Sequence, residues 1–507
     1  METPKIVVRH TRIEVNNYEW GDNPQLEYIF SVWDPLRHTS FSKAIEYNEE
    51  EKKLILPRGI DIPWLEGQFN YDAVIDKRCD PYSTIEPIPI KYLTKDDKQK
   101  EILQFILGKD KYYYTKTKSQ LSVNSSTGSG KTFLTVGSIC FSGSRAIIIT
   151  SSINWLEQWK ARILEYTPLN ENKIYMIAGA SSINKLKIRQ NAEDYTIFLA
   201  SHSTIKSYGD KNGWGAVEEL FKMLKVGMKV YDEAHLYFDN MAKIDFHSNT
   251  RKTLYLTATP QRSNKDEDAI YQLYFKNIPS IDLFDANKDP HVNYVAIHFN
   301  SHPHPTDISK CKNVYGFDRI AYTNYIVKRP NFIMLLYILI DMVFNAPGKV
   351  LIYVGVNSAI KVVYDTICEQ FPFLANNIGI YTSLTTVNKH EQLHKKIILS
   401  TTKSCGAASD IKDLMVTINL AEPFKSPVLA QQTLGRTRAY DSLYIDVVDS
   451  GFYFTKKYYE AKKPVFRQYA KSCKDIKFSD EELESRSLAI VNKYDTSKVM
   501  CQRIYKE

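Results

Sequence analysis

Cysteine is scarce and scattered. Cys79, Cys140, Cys311, Cys368, Cys405, Cys473 and Cys501 are spread over 507 positions with no CxxC pair. An odd count without close pairing argues against a disulfide scaffold and a zinc ribbon, and favours a reducing compartment. Long apolar runs are missing as well. The most apolar stretch, residues 332–344 (FIMLLYILIDMVF), is too short to span a bilayer, carries Asp341 and reads as a buried core helix. The opening METPKIVVRH holds no apolar core of a signal peptide, so no secretory leader is expected. Internal repeats and low-complexity tracts are absent, which sets solenoids aside. Glycine and proline, at 20 each, are low for this length.

What is present fits a globular chain. Hydrophobic residues make up 43% and charged residues 24%, close to the globular average. A length of 507 residues allows about three or four domains. Lys+Arg number 66 against 58 Asp+Glu, a charge of +8 that permits an anionic partner without demanding one.

Residues 1–90 mix strand-like pieces (5–8 and 53–56) with the turn signals Asn23-Pro24, Asp34-Pro35 and Pro57-Arg58-Gly59. This predicts a small accessory α/β domain. The proline-rich stretch 80–89 (DPYSTIEPIP) is expected to be a linker. From about residue 91, β-branched runs alternate with helical segments: 146–150, 196–200, 230–231, 254–256, 350–354, 397–400, 416–420 and 444–448. Runs without polar alternation are buried on both faces, the pattern of parallel sheets covered by helices. They suit two doubly wound domains, 91–285 and 286–465, with the weakly patterned 282–328 as the connection. Residues 466–507 are expected to form a basic tail. From 451 onward there are 13 Lys+Arg against 8 Asp+Glu. That excess fits a solvated helical surface or a face tracking a phosphate backbone.

The strongest local signal is Ser125-Ser126-Thr127-Gly128-Ser129-Gly130-Lys131-Thr132. A run of small residues lets successive backbone N–H groups hold phosphate oxygens. Lys131 reaches the β and γ phosphates, the Thr132 hydroxyl ligates Mg²⁺, and the helix that follows adds its N-terminal dipole. Residues 120–124 supply the preceding strand. The second signal is Val230-Tyr231-Asp232-Glu233-Ala234-His235. An apolar strand ending in two acids puts Asp232 at the carboxyl edge of a sheet, where it can hold Mg²⁺ through water. Glu233 can then orient and deprotonate an attacking water. The third, Leu254-Tyr255-Leu256-Thr257-Ala258-Thr259-Pro260, is a buried strand followed by hydroxyls that can sense the nucleotide. The fourth, Gln432-Thr433-Leu434-Gly435-Arg436-Thr437-Arg438, offers two arginines suited to charge developing on a γ-phosphate.

In this order the four motifs resemble superfamily 2 helicases and translocases of the DExH kind, over roughly residues 91–450. The resemblance implies two RecA-like domains on either side of an ATP cleft, with ATP and Mg²⁺ as cofactors. It assigns Gln99 to the adenine, and Ser126, Thr127, Gly128, Ser129, Gly130, Lys131 and Thr132 to the phosphates. Lys131, Asp232, Glu233, Gln432, Arg436 and Arg438 become the hydrolytic residues, with Thr132 and Asp232 on the metal. Ser151, Ser152, Thr257, Thr259, Thr401 and Thr402 are assigned to nucleic-acid contact and its coupling to the nucleotide. Ser201-His202-Ser203-Thr204 and Val354-Gly355-Val356-Asn357 resemble two further motifs.

Within the superfamily the likeness is closest to phage-encoded recombination helicases of the UvsW type. It rests on Leu56-Pro57-Arg58-Gly59 and on the Leu-x-Gln-Trp element at 156–159. Three departures stand out: Ser125 in place of Gly or Ala, Arg438 two rather than three positions after Arg436, and 405–409 where a Gly-x-Asp usually sits. The implied activity is unwinding or branch migration of DNA, branched or single-stranded, by a monomer in the cytoplasm of an infected host. The alternatives are an RNA helicase of viral transcription termination and a double-strand translocase subunit of a larger assembly. A third rival is a P-loop ATPase acting on protein, or a dead binding module. Arg9, Arg12, Arg37 and Arg58 could fork onto phosphates from the N-terminal domain. Residues 111–118 (KYYYTKTK) interleave aromatics with lysine, as single-strand binders do, and equally fit a packed connection. His302-Pro303-His304 has no further ligand nearby and reads as loop.

Overall fold

Unalternating aliphatic runs such as AIIIT at 146–150 can satisfy their backbone only inside a sheet and their side chains only under cover on both faces. The computed structural model describes residues 5–34, 38–125, 130–151, 153–257, 265–283, 291–314, 316–382, 384–385, 388–405, 411–437, 439 and 441–494. It divides into two compact units, Met1–Ala286 and Asn287–Glu507.

The first unit is built on a seven-stranded parallel sheet. Its order is Ile174–Ile177, Ile197–Ser201, Ala146–Thr150, Met228–Tyr231, Lys252–Thr257, Gln120–Ser125 and Ser280–Leu283. One face packs Leu121, Val123, Ile148 and Leu254 against the helices Asp97–Leu107, Lys131–Ser142 and Ile153–Tyr166. The other face shares a core with the N-terminal residues, where Ile6, Val8, Ile13, Val15, Leu54 and Leu56 cluster with Ile147, Ile149, Tyr231 and Tyr255. The N-terminal sheet is mixed, in the order Glu46–Asn48, Lys53–Pro57, Arg12–Asn16, Ile6–Val8 and Ala73–Ile75. Gly59 fixes how it sits. A Cβ there would lie 1.9 Å from the Tyr274 carbonyl oxygen, so only glycine lets this turn rest on the helix Lys265–Phe275.

The stretch 80–89 is no free linker. The backbone N–H groups of Asp80, Ser83, Ile85 and Ile88 donate to the carbonyls of Asn249, Lys225, Gly143 and Cys140. A proline-rich segment has no ladder partners of its own, so its remaining amides find acceptors on the surface it crosses.

The second unit holds another seven-stranded parallel sheet. Its order is Ile378–Tyr381, Ile397–Ser400, Lys349–Val354, Leu414–Ala421, Ser442–Asp449, Val292–Phe299 and Ser472–Lys477. Val292–Phe299 lies in the stretch expected to be only a connection. Its burial alternates, with Asn293 and His298 only partly covered, which hid it among polar residues. The apolar stretch expected as a core helix is one: Pro330–Val343 buries Phe332, Leu335, Leu336, Leu339 and Ile340. Beyond residue 466, Ser472–Lys477 adds a strand beside Val292–Phe299, and Asp480–Tyr494 lays Leu483 and Ile490 into the core. Among the described residues no helix is long and apolar enough to cross a membrane.

Behind the strands Met228–Tyr231 and Lys252–Thr257 sits a wholly buried polar knot. The Asp245 carboxylate receives the hydroxyls of Tyr231 at 2.9 Å, Tyr255 at 2.5 Å and Tyr274 at 2.5 Å, and it pairs with Lys229 at 2.5 Å. The Thr11 hydroxyl donates to the Asp245 carbonyl at 2.8 Å, which brings the N-terminal sheet into the same network. A buried charge of this kind is tolerated because every partner is in place. Asp245→Ala leaves Lys229 charged and unpaired in the interior, and is expected to lower stability by about 3–5 kcal/mol. Denaturant unfolding of the full chain measures it, and a loss under about 1 kcal/mol would show the knot to be dispensable.

Candidate functional site

In parallel α/β sheets the carboxyl ends of the strands open toward a common edge, where ligands bind. That edge in the first unit receives Ser125, Thr150, Ser201, Tyr231 and Thr257 as the last residues of their strands. The segments that follow carry four of the motifs read from the sequence.

Gly130 ends the phosphate loop with a φ of 90°, in the left-handed region, and the helix Lys131–Ser142 starts directly after it. It also lies against Gln99, since a Cβ on Gly130 would meet the Gln99 side-chain nitrogen at 2.3 Å. Gln99 is set by its own helix cap. Asp96 accepts the Gln99 backbone N–H at 2.8 Å, and the Gln99 side-chain oxygen accepts the Lys95 N–H at 2.8 Å. The two are therefore neighbours although 31 positions apart in the sequence.

Lys131 points at the acidic pair, with its Nζ 3.7 Å from Glu233 Oε1. The backbone at Glu233 has a φ of 52°, a left-handed conformation that costs a non-glycine residue about 1–2 kcal/mol. Such strain is retained where it aims a side chain. The Asp232 carboxyl is held above the usual carboxylate range. Loss of water around it is the main cause and the Glu233 charge adds to it, while Lys131 and a hydrogen bond from Trp159 oppose both. A carboxylate pair so short of positive charge suits a hard cation with oxygen ligands. Among the described residues no three His, Cys, Asp or Glu side chains gather to hold a metal alone. Thr132 and Asp232 fit the partial shell that Mg²⁺ takes when phosphates supply the rest.

His235 joins this strand end to the next. Its Nδ1 lies 2.8 Å from the Thr257 hydroxyl and 3.4 Å from Glu233 Oε2. Thr257, which the resemblance gave to coupling, thus touches the acidic motif through a buried histidine. Ser201 caps the helix His202–Asn212 by accepting the Thr204 N–H at 3.2 Å. His202 stacks between Tyr231 and Tyr237, and neither ring nitrogen has a hydrogen-bond partner among the described residues. Burial pushes its pKa down to about 3, so the ring is neutral.

The Trp159 contact is absent from the motif readings. Its indole Nε1–H donates to Asp232 Oδ2 at 2.9 Å, and the ring is 4% exposed. The tryptophan of the Leu-x-Gln-Trp element turns inward. The spacing of Leu156, Trp159 and Ile163 on one helix face was the available signal. Ser151 stands partly exposed just before that helix. Ser126, Thr127, Gly128, Ser129, Ser152, Thr259 and Arg438 lie outside the described residues.

In the second unit, Gln432 lies on the helix Pro427–Leu434, and Arg436 follows that helix with 7% exposure. Thr437 is anchored by its hydroxyl, 2.9 Å from that of Thr417. Thr401 accepts the Ser404 N–H at 3.0 Å, and both the backbone N–H and the hydroxyl of Thr402 donate to Glu422. Burial raises the Glu422 carboxyl above its ordinary range.

Of the arginines offered as phosphate forks, Arg9 is tied to Glu14 and Asp76 at 2.7 Å each, and Arg12 to Glu14 at 2.7 Å. Arg37 lies outside the described residues. Arg58 lines a cavity of about 270 Å³ with Asp61, Lys118 and Gln120.

Residues 93–262 match the model of the family described as type III restriction enzyme, res subunit. A curated relative, the DNA 3'-5' helicase XPB of Mycobacterium tuberculosis, is 26% identical over 146 residues, which is 29% of this chain and 24% of that protein. The chain spans only about a fifth to a quarter of the length of the curated relatives it matches. Among solved structures, the ATP-dependent type ISP restriction-modification enzyme LlaBIII bound to DNA is 14% identical. It covers 79% of this chain and 33% of its own, with a TM-score of 0.52. The crystal structure of T4 UvsW covers 93% of this chain and 99% of its own at 12% identity, with a TM-score of 0.36. The family match over residues 93–262 agrees with the motif-based resemblance there, and the two parallel-sheet units have the RecA-like fold.

Proposed function

We propose that this chain is an ATP-dependent nucleic-acid helicase that unwinds or branch-migrates DNA in phage replication or recombination. One observation carries the reading. Gln99, Gly130, Lys131, Asp232, Glu233 and Thr257 come together at the carboxyl edge of one RecA-like sheet. Lys131 supplies positive charge to the phosphates. Glu233 orients the attacking water and takes its proton. Thr132 and Asp232 hold Mg²⁺, which when bound neutralises charge on the β and γ phosphates. Ser151 and the hydroxyl-bearing strand ends offer donors to a phosphate backbone, and such contacts are indifferent to base sequence. The match of 146 residues to a DNA helicase supports DNA as the track.

ATP turnover measured with single-stranded DNA, branched DNA, duplex DNA and RNA as separate activators tests the reading. Branched or single-stranded DNA is expected to stimulate most. Stimulation by RNA alone would replace it with an RNA helicase, by duplex DNA alone with a double-strand translocase. Turnover indifferent to all four would end the nucleic-acid assignment. Choice of a junction over a plain strand is assigned to the N-terminal sheet. Arg58 is offered as its contact residue, since its guanidinium lines a cavity with Lys118 and Gln120 and has no carboxylate partner among the described residues.

A further inference from the structure

The helix Ile153–Tyr166 starts two residues after Ser151, on the edge where a nucleic-acid backbone would lie. Its strand, Ala146–Thr150, runs parallel beside Met228–Tyr231, and the Asp232 backbone N–H donates to the Ile149 carbonyl at 2.9 Å. The two motifs thus share a backbone bond, and they share a side-chain bond as well. Trp159 sits in the second turn of that helix, buried with Leu156 and Ile163 against the sheet. Its Nε1–H is the ring's single polar group and can only donate. It commits one oxygen of Asp232, Oδ2, and the Glu233 backbone N–H also hydrogen-bonds that carboxylate. A rigid aromatic ring has few ways to follow a helix except as part of it, so a displacement of Ile153–Tyr166 is delivered to the carboxylate.

We propose that Trp159 is a positioning residue through which nucleic acid held at the start of the helix Ile153–Tyr166 resets the Asp232 carboxylate, making ATP turnover depend on the track. The inference rests on the helicase reading above. It assigns the tryptophan of the Leu-x-Gln-Trp element to the metal-binding acid, by way of its hydrogen bond, and not to nucleic acid itself. The device requires an N–H at this position, which phenylalanine lacks.

Trp159→Phe keeps the ring and removes the donor. The Mg²⁺ concentration giving half-maximal turnover is expected to rise about 10–100-fold, the usual consequence of losing a group that orients a ligand residue. The ratio of DNA-stimulated to unstimulated turnover is expected to fall by a similar factor. A second readout needs no turnover. The chain has six tryptophans, and replacing the other five by phenylalanine one at a time identifies the Trp159 indole N–H resonance by elimination. That resonance is expected to shift when single-stranded DNA is added to the nucleotide-free full chain. A purely structural tryptophan would lower the melting temperature of Trp159→Phe and leave the Mg²⁺ midpoint, the stimulation ratio and the DNA-induced shift unaffected. That pattern overturns the inference. If Trp159→Phe does not fold, the wild-type resonance decides alone, and an unmoved signal at saturating DNA overturns it. Wild-type protein without Mg²⁺-dependent, DNA-stimulated turnover would instead overturn the helicase reading, which keeps the two failures apart.

Discussion

Lys131→Ala is expected to abolish ATP turnover while the chain stays folded. Lys131 occupies the first position of its helix, where the left-handed Gly130 has just ended the loop, so its backbone does not depend on the side chain. The ammonium group does two things at that edge. On the proposed reading it offers charge to phosphates, and from 3.7 Å it offsets the Glu233 carboxylate. Alanine removes both, and Asp232, already held above the ordinary carboxylate range, loses one of the groups that oppose that shift. Nucleotide affinity and turnover should fall together. Glu233→Gln separates the roles, because the amide has the shape of the acid but cannot take a proton from water. Turnover should drop by about 10²–10⁴ with nucleotide binding retained. Titration of nucleotide binding and steady-state turnover on both variants are the measurements. Near wild-type turnover in a folded Lys131→Ala would sink the phosphate-loop assignment.

Arg436→Ala is expected to cost far more in turnover than in nucleotide affinity. An arginine that acts on charge developing during phosphoryl transfer contributes about 10³–10⁵ in rate. At 1.36 kcal/mol per tenfold, that range is about 4–7 kcal/mol of barrier. The position suits a residue held in one place. Gly435 ends the helix Pro427–Leu434, Thr437 is anchored through Thr417, and Arg436 between them is 7% exposed. A fixed guanidinium loses little entropy when it engages, which favours a role in the transition state over one in ground-state binding. Single-turnover hydrolysis at saturating ATP isolates the effect. An unchanged rate would leave Arg436 as a residue of the second unit's interior.

The sheets were legible because runs such as those at 146–150 and 350–354 have no polar alternation to mislead the eye. The strands that escaped are short or lie toward a sheet edge. Ile174–Ile177, Ile378–Tyr381 and Ser280–Leu283 have four residues each, and Ser472–Lys477 is almost wholly exposed. Four residues give too few repeats for a period to show. At the site, Lys131 and the Asp232–Glu233 pair could be named from motif strings, because the chemistry demands those residue types in that order. What the strings do not carry is the rotation of a helix. Nothing in Leu-x-Gln-Trp says which way the indole faces until Leu156 and Ile163 are seen to share its side. Arg9 and Arg12 misled for the opposite reason. Charge was visible in the sequence, but the carboxylates of Glu14 and Asp76 that hold them come from folding the N-terminal strands together.

The seat of the N-terminal sheet also has a timetable. Its Gly59 turn rests on the Tyr274 carbonyl, a residue made 215 positions later, and its Thr11 hydroxyl waits for Asp245. At ribosomal speeds of about 5–20 residues per second, the interval between Gly59 and Tyr274 is about 10–40 s. For that time Ile6, Val8, Ile13 and Leu56 have been synthesised but the surface that covers them has not. The strands Ile6–Val8 and Arg12–Asn16 are therefore made well before the surface that buries them. In the cell this chain passes through a stage in which those strands are a natural client for chaperones.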